Sequence, residues 1–151
     1  MKPVTFIRPA RADEHDAITE VWEASVRATH HFLKEEDIQL YKPLVRNVFL
    51  KIVDLYCSED NKKITGFLGV AGNKLEMLFL HPSAMGKGIG KQLMQFALKN
   101  LSVTLVDVNE QNVQAVGFYH HFDFITISRS ETDGMGKPYP ILNMQLKQQV
   151  H

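Results

Sequence analysis

Several things are scarce in this chain of 151 residues, and each scarcity excludes something. Cys57 is the only cysteine, so no intrachain disulfide can form, which fits a reducing compartment. No apolar run approaches the length of a membrane span, and the opening MKPVTFIRPARADEHD lacks the apolar stretch of a secretory leader, so the expected location is the cytoplasm and no membrane partner is expected. Neither sign of charge dominates: 17 lysines and arginines face 17 acids, which removes the global electrostatic case for nucleic acid. No HExxH and no cysteine–histidine quartet occurs, and the tandem His30-His31 does not supply one, so no metal is expected. Internal repeats, low-complexity tracts and linkers are also missing. An apolar fraction of 44% then points to one ordinary globular domain over residues 1–151, long enough to bury a substantial core.

What is present is concentrated between Leu75 and Leu101. A short apolar run ends at His81-Pro82, glycines alternate at Gly86, Gly88 and Gly90, and an amphipathic helix then carries Ile89, Leu93, Phe96 and Ala97 on one face. This is a strand, a turn and the open end of a helix. The first amides of a helix have no internal partner, and the helix dipole makes that end partly positive. Glycines let backbone approach a ligand closely, and Lys87 and Lys91 add charge, so a phosphate or diphosphate is the natural guest. Two familiar phosphate loops do not fit. G-x-x-x-x-G-K would need glycine at Met85, and G-x-G-x-x-G would need glycine at Lys91. A plain turn with solvating lysines is the alternative for the loop alone.

The rest of the chain supplies a frame. Val4 to Arg8 reads as a strand, and Asp13 is a candidate cap for a helix with Ile18, Val21, Trp22, Ser25 and Thr29 on one face. A second helix is expected from Glu35 to Val53, with Tyr41, Leu44, Val45, Val48, Phe49 and Ile52 inward and a break or kink at Pro43. Strands follow at Leu55–Cys57, Ile64–Ala71 and Leu75–Leu80, with a hairpin signal at Gly72-Asn73. The motif helix spans about Lys87 to Asn100. Val103 to Val108 is a strand, Val113, Val116 and Tyr119 mark a short helix, Asp123 to Arg129 is a strand, and Tyr139 to Lys147 alternates as a half-buried one. The order is β-α-α-β-β-β-α-β-α-β-β, and the expected fold is α/β (α+β) with a mixed sheet.

In this frame the chain resembles the GNAT superfamily of N-acetyltransferases. That family's coenzyme A signature is Arg/Gln-x-x-Gly-x-Gly/Ala after a strand ending in an x-Pro dipeptide. Leu80-His81-Pro82 and Lys87-Gly88-Ile89-Gly90 match the layout, while Met85 stands where Arg or Gln is usual. The resemblance covers nearly the whole chain. It implies a mostly antiparallel sheet of about seven strands flanked by about four helices, with the strands ending at Leu80 and near Val108 splayed apart. It further implies acetyl-CoA as cosubstrate. The pantetheine arm would pair with backbone at Leu78, Phe79 and Leu80, and the diphosphate would lie on Met85, Gly86, Lys87, Gly88, Ile89, Gly90 and Lys91.

A second cluster, Asn112 to Tyr119, also matches the family, although Asp123-Phe124 lacks the usual turn glycine. Asn112 reads either as a helix cap or as a coenzyme contact. Acyl transfer to an amine needs a neutral amine, donors for the carbonyl oxygen and a proton for the leaving thiolate. By the resemblance Tyr119 is that acid; from periodicity alone it is a tyrosine packed in a helix interface. Glu76 would share the face of Leu78 and Leu80 on a regular strand and could serve as base through a water chain. Asp107, His81 and His120 are the other titratable groups near the motif, and each carboxylate reads equally as a solvated or capping group. The acceptor groove is expected between the first helices, with Trp22, His30 and Phe32 against substrate and His31 and Tyr41 nearby; Trp22 and Phe32 also read as core. The expected function is acetyl transfer to a primary amine of a small molecule, peptide or protein by direct attack in a ternary complex. The alternative is a non-catalytic acyl-CoA-binding sensor or interaction module, which Met85 favours. A homodimer through the last strand is compatible with the pattern.

Overall fold

β-branched and aromatic runs punctuated by turn residues build the sheet, and helical periodicities cover both of its faces. The computed structural model describes residues 6–147. In chain order the elements are β1 (Phe6–Pro9), α1 (His15–Thr29), α2 (Glu35–Asn47), β2 (Asp54–Asp60), β3 (Lys63–Ala71), β4 (Lys74–Leu80), α3 (Ile89–Asn100), β5 (Leu105–Asn109), α4 (Val113–His121), β6 (Phe124–Ser130) and β7 (Ile141–Leu146). The strands form one sheet in the order β1-β2-β3-β4-β5-β7-β6, antiparallel throughout except between β4 and β5. This is the expected mixed, mostly antiparallel seven-stranded sheet with four α-helices.

Two cores follow from the two faces. Ile18, Val21, Trp22 and Val26 of α1 and Ile38 and Val45 of α2 pack with Cys57 and Phe67. Leu93, Met94 and Ala97 of α3 and Tyr119 of α4 pack with Leu68, Leu75, Val106 and Met144 on the other side. β4 feeds both cores, which is why its sequence is apolar on both faces. β7 places Leu142, Met144 and Leu146 against the second core, as its alternation indicates.

Several local expectations change. Asp13 caps nothing. It lies in a 3-10 turn, Ala12–Glu14, and the carboxylate of Glu14 accepts the Arg11 amide instead, at 2.7 Å. α2 passes through Pro43 without breaking and stops at Asn47, ahead of a 3-10 turn at Phe49–Lys51. Pro43 and Gln39 are both exposed, so the carbonyl that loses its partner can be hydrated. Because the helical period ends there, Val48 and Ile52 are 43% and 68% exposed rather than inward. β2 extends to Asp60, and Asn61-Lys62 make a two-residue hairpin with φ of 50° and 65°. α3 starts at Ile89 rather than Lys87, and β5 starts at Leu105 rather than Val103. Asp123 has φ 69°, so an aspartate takes up the left-handed turn where the family pattern has glycine. Val4, and the chain end after Lys147, lie outside the described residues.

Glu14 is nearly buried and receives Arg8 in a two-pronged pair at 2.8 and 2.7 Å, while Arg8 also donates to Glu59 at 2.8 Å. These Arg8 hydrogen bonds hold the Glu14 carboxyl at about 2, below its ordinary 4.5. A depressed carboxylate stabilises the fold above its unfolded pKa and loses that contribution as pH falls through the folded one. Glu14→Gln is therefore expected to cost about 2 kcal/mol at pH 7. In urea titrations the gap between wild type and variant should narrow steadily between pH 4.5 and about 2.

Candidate active site

The site begins where a ladder stops. β4 and β5 pair only at Lys74↔Leu105 and Leu75↔Val106. Beyond that point β4 stays with β3 as far as Leu80↔Gly66, and β5 stays with β7 as far as Asn109↔Ile141. Each strand follows its outer neighbour, and a gap opens between them. The register of β4 shifts at the same place: Val70 pairs with Leu75 but Gly69 pairs with Met77, leaving Glu76 as the bulged residue. A bulge increases local twist, which turns the rest of β4 away from β5. The strand is thus irregular at the residue whose face was inferred from regular alternation. Leu75 shares the second core with Leu78 and Leu80, and Glu76 lines cavities on both sides of the bulge.

The far end of β4 leads into the glycine loop. His81 donates its backbone amide to the Thr65 carbonyl at 2.9 Å, and its Nδ1 accepts the Ser83 amide at 3.1 Å, which caps the Pro82–Ala84 turn. Gly86 and Gly88 have φ of 77° and 82°. Gly88 caps α3, and the first backbone bond into the helix runs from Gln92 to the Gly88 carbonyl. The amides of Ile89, Gly90 and Lys91 are thus left without a backbone acceptor at the positive end of a 12-residue helix.

Between this helix end and the fork lie two connected openings. One, of about 220 Å³, is lined by Leu78, Phe79, Leu80, Met85, Gly90, Asn112 and Tyr119 together with His30. The other, of about 110 Å³, lies in the fork and adds Glu76 and Asp107. Asn112 caps α4 by accepting the Ala115 amide at 3.3 Å, as one of its two readings has it, and it also lines both openings. The Tyr119 ring packs edge-on against Phe118 and Phe124, at 5.5 and 6.1 Å between centroids. Its hydroxyl makes no hydrogen bond among the described residues, and Tyr119 lines both openings. Burial raises the phenol above its ordinary pKa, so it holds its proton at neutral pH.

Across the sheet a larger, mostly apolar cavity of about 470 Å³ is lined by Trp22, Tyr41, Val45, Phe49, Met77 and Phe79. Its charged lining residues are Glu76 and Asp133, both acids. The long loop between β6 and β7 forms one wall. Asp133 organises that loop by accepting the Met135 and Lys137 amides, each at 2.9 Å, and the Tyr41 hydroxyl ties it to α2. Asp37, at the start of α2, accepts the Tyr139 hydroxyl and pairs with Lys137 at 3.3 Å. The Tyr139 hydrogen bond keeps this buried carboxyl below its usual range.

The structure brings together most of the residues singled out in the sequence, though not all. Leu78, Phe79, Leu80, Met85, Gly90, Asn112 and Tyr119 share the gap, and Glu76 bridges it to the apolar cavity. Gly86, Gly88 and Lys91 lie at the helix end, whereas Lys87 and Ile89 line a separate polar hollow with His81. Trp22 is buried and lines the apolar cavity; His30 lines the gap instead, and Phe32 packs on His30 and Tyr139. Asp107 is ion-paired with Lys74, and His120 is bonded to the Phe124 carbonyl. Asp133 and Met135 were not anticipated, because they lie in a segment with no helical or strand periodicity to place it against α2. Among the described residues no cluster of histidine, cysteine and carboxylate side chains could hold a metal ion, and no helix is long and apolar enough to cross a membrane.

A parted pair of strands, unpaired strand backbone facing the gap and an open helix end suit a ligand that is amide-bearing along its arm and anionic at its far end. Fold and site together define an acyl-CoA-dependent acyltransferase. Residues 24–147 match the acetyltransferase (GNAT) domain family. A peptidyl-lysine N-acetyltransferase, YjaB of Salmonella typhimurium, is 40% identical over 91% of this chain and 95% of its own length. The solution structure of apo YjaB from Escherichia coli superposes with a TM-score of 0.87 at 36% identity, over 97% of this chain and 100% of that one. The PaiA N-acetyltransferase of Thermoplasma acidophilum, solved with coenzyme A, shares the fold at a TM-score of 0.73 and 22% identity, over 95% of this chain and 99% of that one. The chain belongs to the GNAT acetyltransferase family, and the reading of an acetyl-CoA-dependent N-acetyltransferase stands with it.

Gly88→Glu would force a side chain into a left-handed position and put an acid at the positive end of α3. Calorimetry should show acetyl-CoA binding weakened by about 100-fold or more, with Gly88→Ala reporting the smaller share due to backbone strain.

Proposed function

We propose that this chain transfers an acetyl group from acetyl-CoA to the ε-amine of lysine in a peptide or protein, by direct attack within a ternary complex. The observation that carries the reading is the open fork, with the protonated Tyr119 hydroxyl on one side and Glu76 reaching the acceptor cavity on the other. The apolar walls suit the methylenes of a lysine arm, and the two acids suit its ammonium. The peptidyl-lysine activity in the name of the YjaB relative supports that acceptor class.

The residues divide the work. The free amides of Ile89, Gly90 and Lys91, shaped by Gly86 and Gly88 and flanked by Met85 and Lys87, hold the diphosphate. Backbone at Leu78, Phe79 and Leu80 pairs with the pantetheine arm, and Asn112 borders it. Acetyl-CoA supplies the thioester. Glu76, through water, takes the proton that the ammonium must lose before its nitrogen has a lone pair to attack with. A backbone amide of β4 near Leu80 faces the carbonyl oxygen as charge develops there. Tyr119 donates its phenolic proton to the departing sulfur and recovers one from solvent. One C–N bond forms and one C–S bond breaks; nitrogen loses two protons, one as the ammonium gives up its charge and one as the amide forms, of which one offsets the proton gained by sulfur and the other leaves to solvent.

The direct test is thiol release from acetyl-CoA that depends on a lysine-containing peptide. Tight acetyl-CoA binding with no release over a broad panel of amines would support a sensor instead. Tyr119→Phe should lower kcat by about 100-fold while leaving the KM for acetyl-CoA within about threefold. Glu76→Gln should abolish the acidic limb of the pH–rate profile, and an unchanged limb would remove Glu76 as the base.

A further inference from the structure

His30 ends α1 and is largely buried, with its ring tilted over Phe32 at 5.2 Å and Phe79 at 6.1 Å between centroids. Its hydrogen bonds fix which nitrogen carries the proton. The Thr29 hydroxyl, which has a single proton, donates it to the Ser25 carbonyl at 2.8 Å. The same oxygen lies 2.7 Å from His30 Nδ1, so in this contact Nδ1 must be the donor. In the neutral ring, Nε2 is then the nitrogen with the lone pair. Burial, with a smaller contribution from His31, lowers the imidazole from 6.5 to about 4, which keeps the ring neutral at physiological pH.

Nε2 is also open. It forms no hydrogen bond among the described residues, and no buried side-chain nitrogen or oxygen there is without a partner, so Nε2 is accessible. His30 lines both openings with Tyr119 and Asn112 and shares the fork with Glu76. A neutral acceptor atom, locked in one tautomer and set among apolar rings, is placed where the nitrogen must approach the thioester.

We infer that His30 Nε2 accepts a hydrogen bond from the attacking amine of the acceptor lysine and so aims the nitrogen lone pair at the thioester carbon. Its partner is a neutral R–NH2 group, which has N–H donors to give; Glu76 and its water remain the proton acceptor. Thr29 is the positioning residue that holds the tautomer. The assignment rests on the proposed transferase reading, and it adds a catalytic role on α1, remote in sequence from the coenzyme motif.

The test has two arms on the full chain. The first is ¹⁵N NMR of the imidazole at neutral pH. The expected pattern is a proton on Nδ1 and a bare Nε2, and an Nε2–H tautomer overturns the proposal. The second is steady-state kinetics with a lysine peptide. His30→Phe, which keeps an aromatic ring but removes the acceptor, should lower kcat/KM for the peptide by about 30-fold with the KM for acetyl-CoA unchanged. His30→Gln, which can place an oxygen near the Nε2 position, should recover about tenfold of that loss. If His30→Phe matches an active wild type, or His30→Gln recovers nothing while acetyl-CoA binding is intact, the role is overturned. A wild type that binds acetyl-CoA yet releases no thiol with the peptide instead overturns the transferase reading, and the His30 role with it.

Discussion

The β4–β5 ladder ends after Leu75↔Val106, and the rest of the site depends on that ending. A parallel pair that continued would satisfy its own backbone groups and leave no room for a ligand between strands. Three features limit it. β7 holds β5 along its length, β3 holds β4, and the bulge at Glu76 turns β4 at the point of divergence. The base of the fork is closed firmly: the Thr104 amide bonds the Asn73 carbonyl at 2.9 Å, the Asn73 side chain bonds the Thr104 hydroxyl at 2.8 Å, and Lys74 pairs with Asp107. Asp107, an acid among apolar neighbours, thereby serves the fork rather than standing free as a base.

Opposite electrostatic features meet at this fork from the two faces of the sheet. α3 directs unpaired amides and a positive helix end toward one mouth, while the cavity under α1 and α2 has only carboxylates among its charged lining residues. The two faces of the same strand thus present opposite electrostatic character, which meets where β4 is unpaired. One wall of that cavity owes its shape to polar contacts: Asp133 and Asp37 draw the β6–β7 loop onto α2 through Tyr41, Tyr139 and Lys137. Asp37 is buried and Asp133 half-buried, and both carboxylates are multiply bonded, so the loop has a defined place.

How much was legible differs from residue to residue, for physical reasons. Gly86, Gly88 and Gly90, the cap at Asn112 and the inward phase of Tyr119 are local, because a helix end and a 3.6-residue period are properties of a short stretch. The relief at Asp123 was not legible, since aspartate tolerates the left-handed turn without being glycine. Pro43 suggested a break, but α2 runs through it. His30 was placed in the acceptor groove, but the distance along the chain gave no sign that it would lie beside Tyr119.

By itself the sequence determined the order of elements, the apolar central strand, the glycine-capped helix end and the family whose motif they carry. Those depend on interactions within a dozen residues. Only the tertiary structure decided where β4 leaves β5, that Glu76 sits on a bulge, that Asp133 walls the apolar cavity and that Nδ1 of His30 meets the Thr29 hydroxyl. The first three are each settled by a partner far away in the chain. Register, loop docking and tautomer are properties of pairs, and a linear sequence names the members of a pair without saying that they meet.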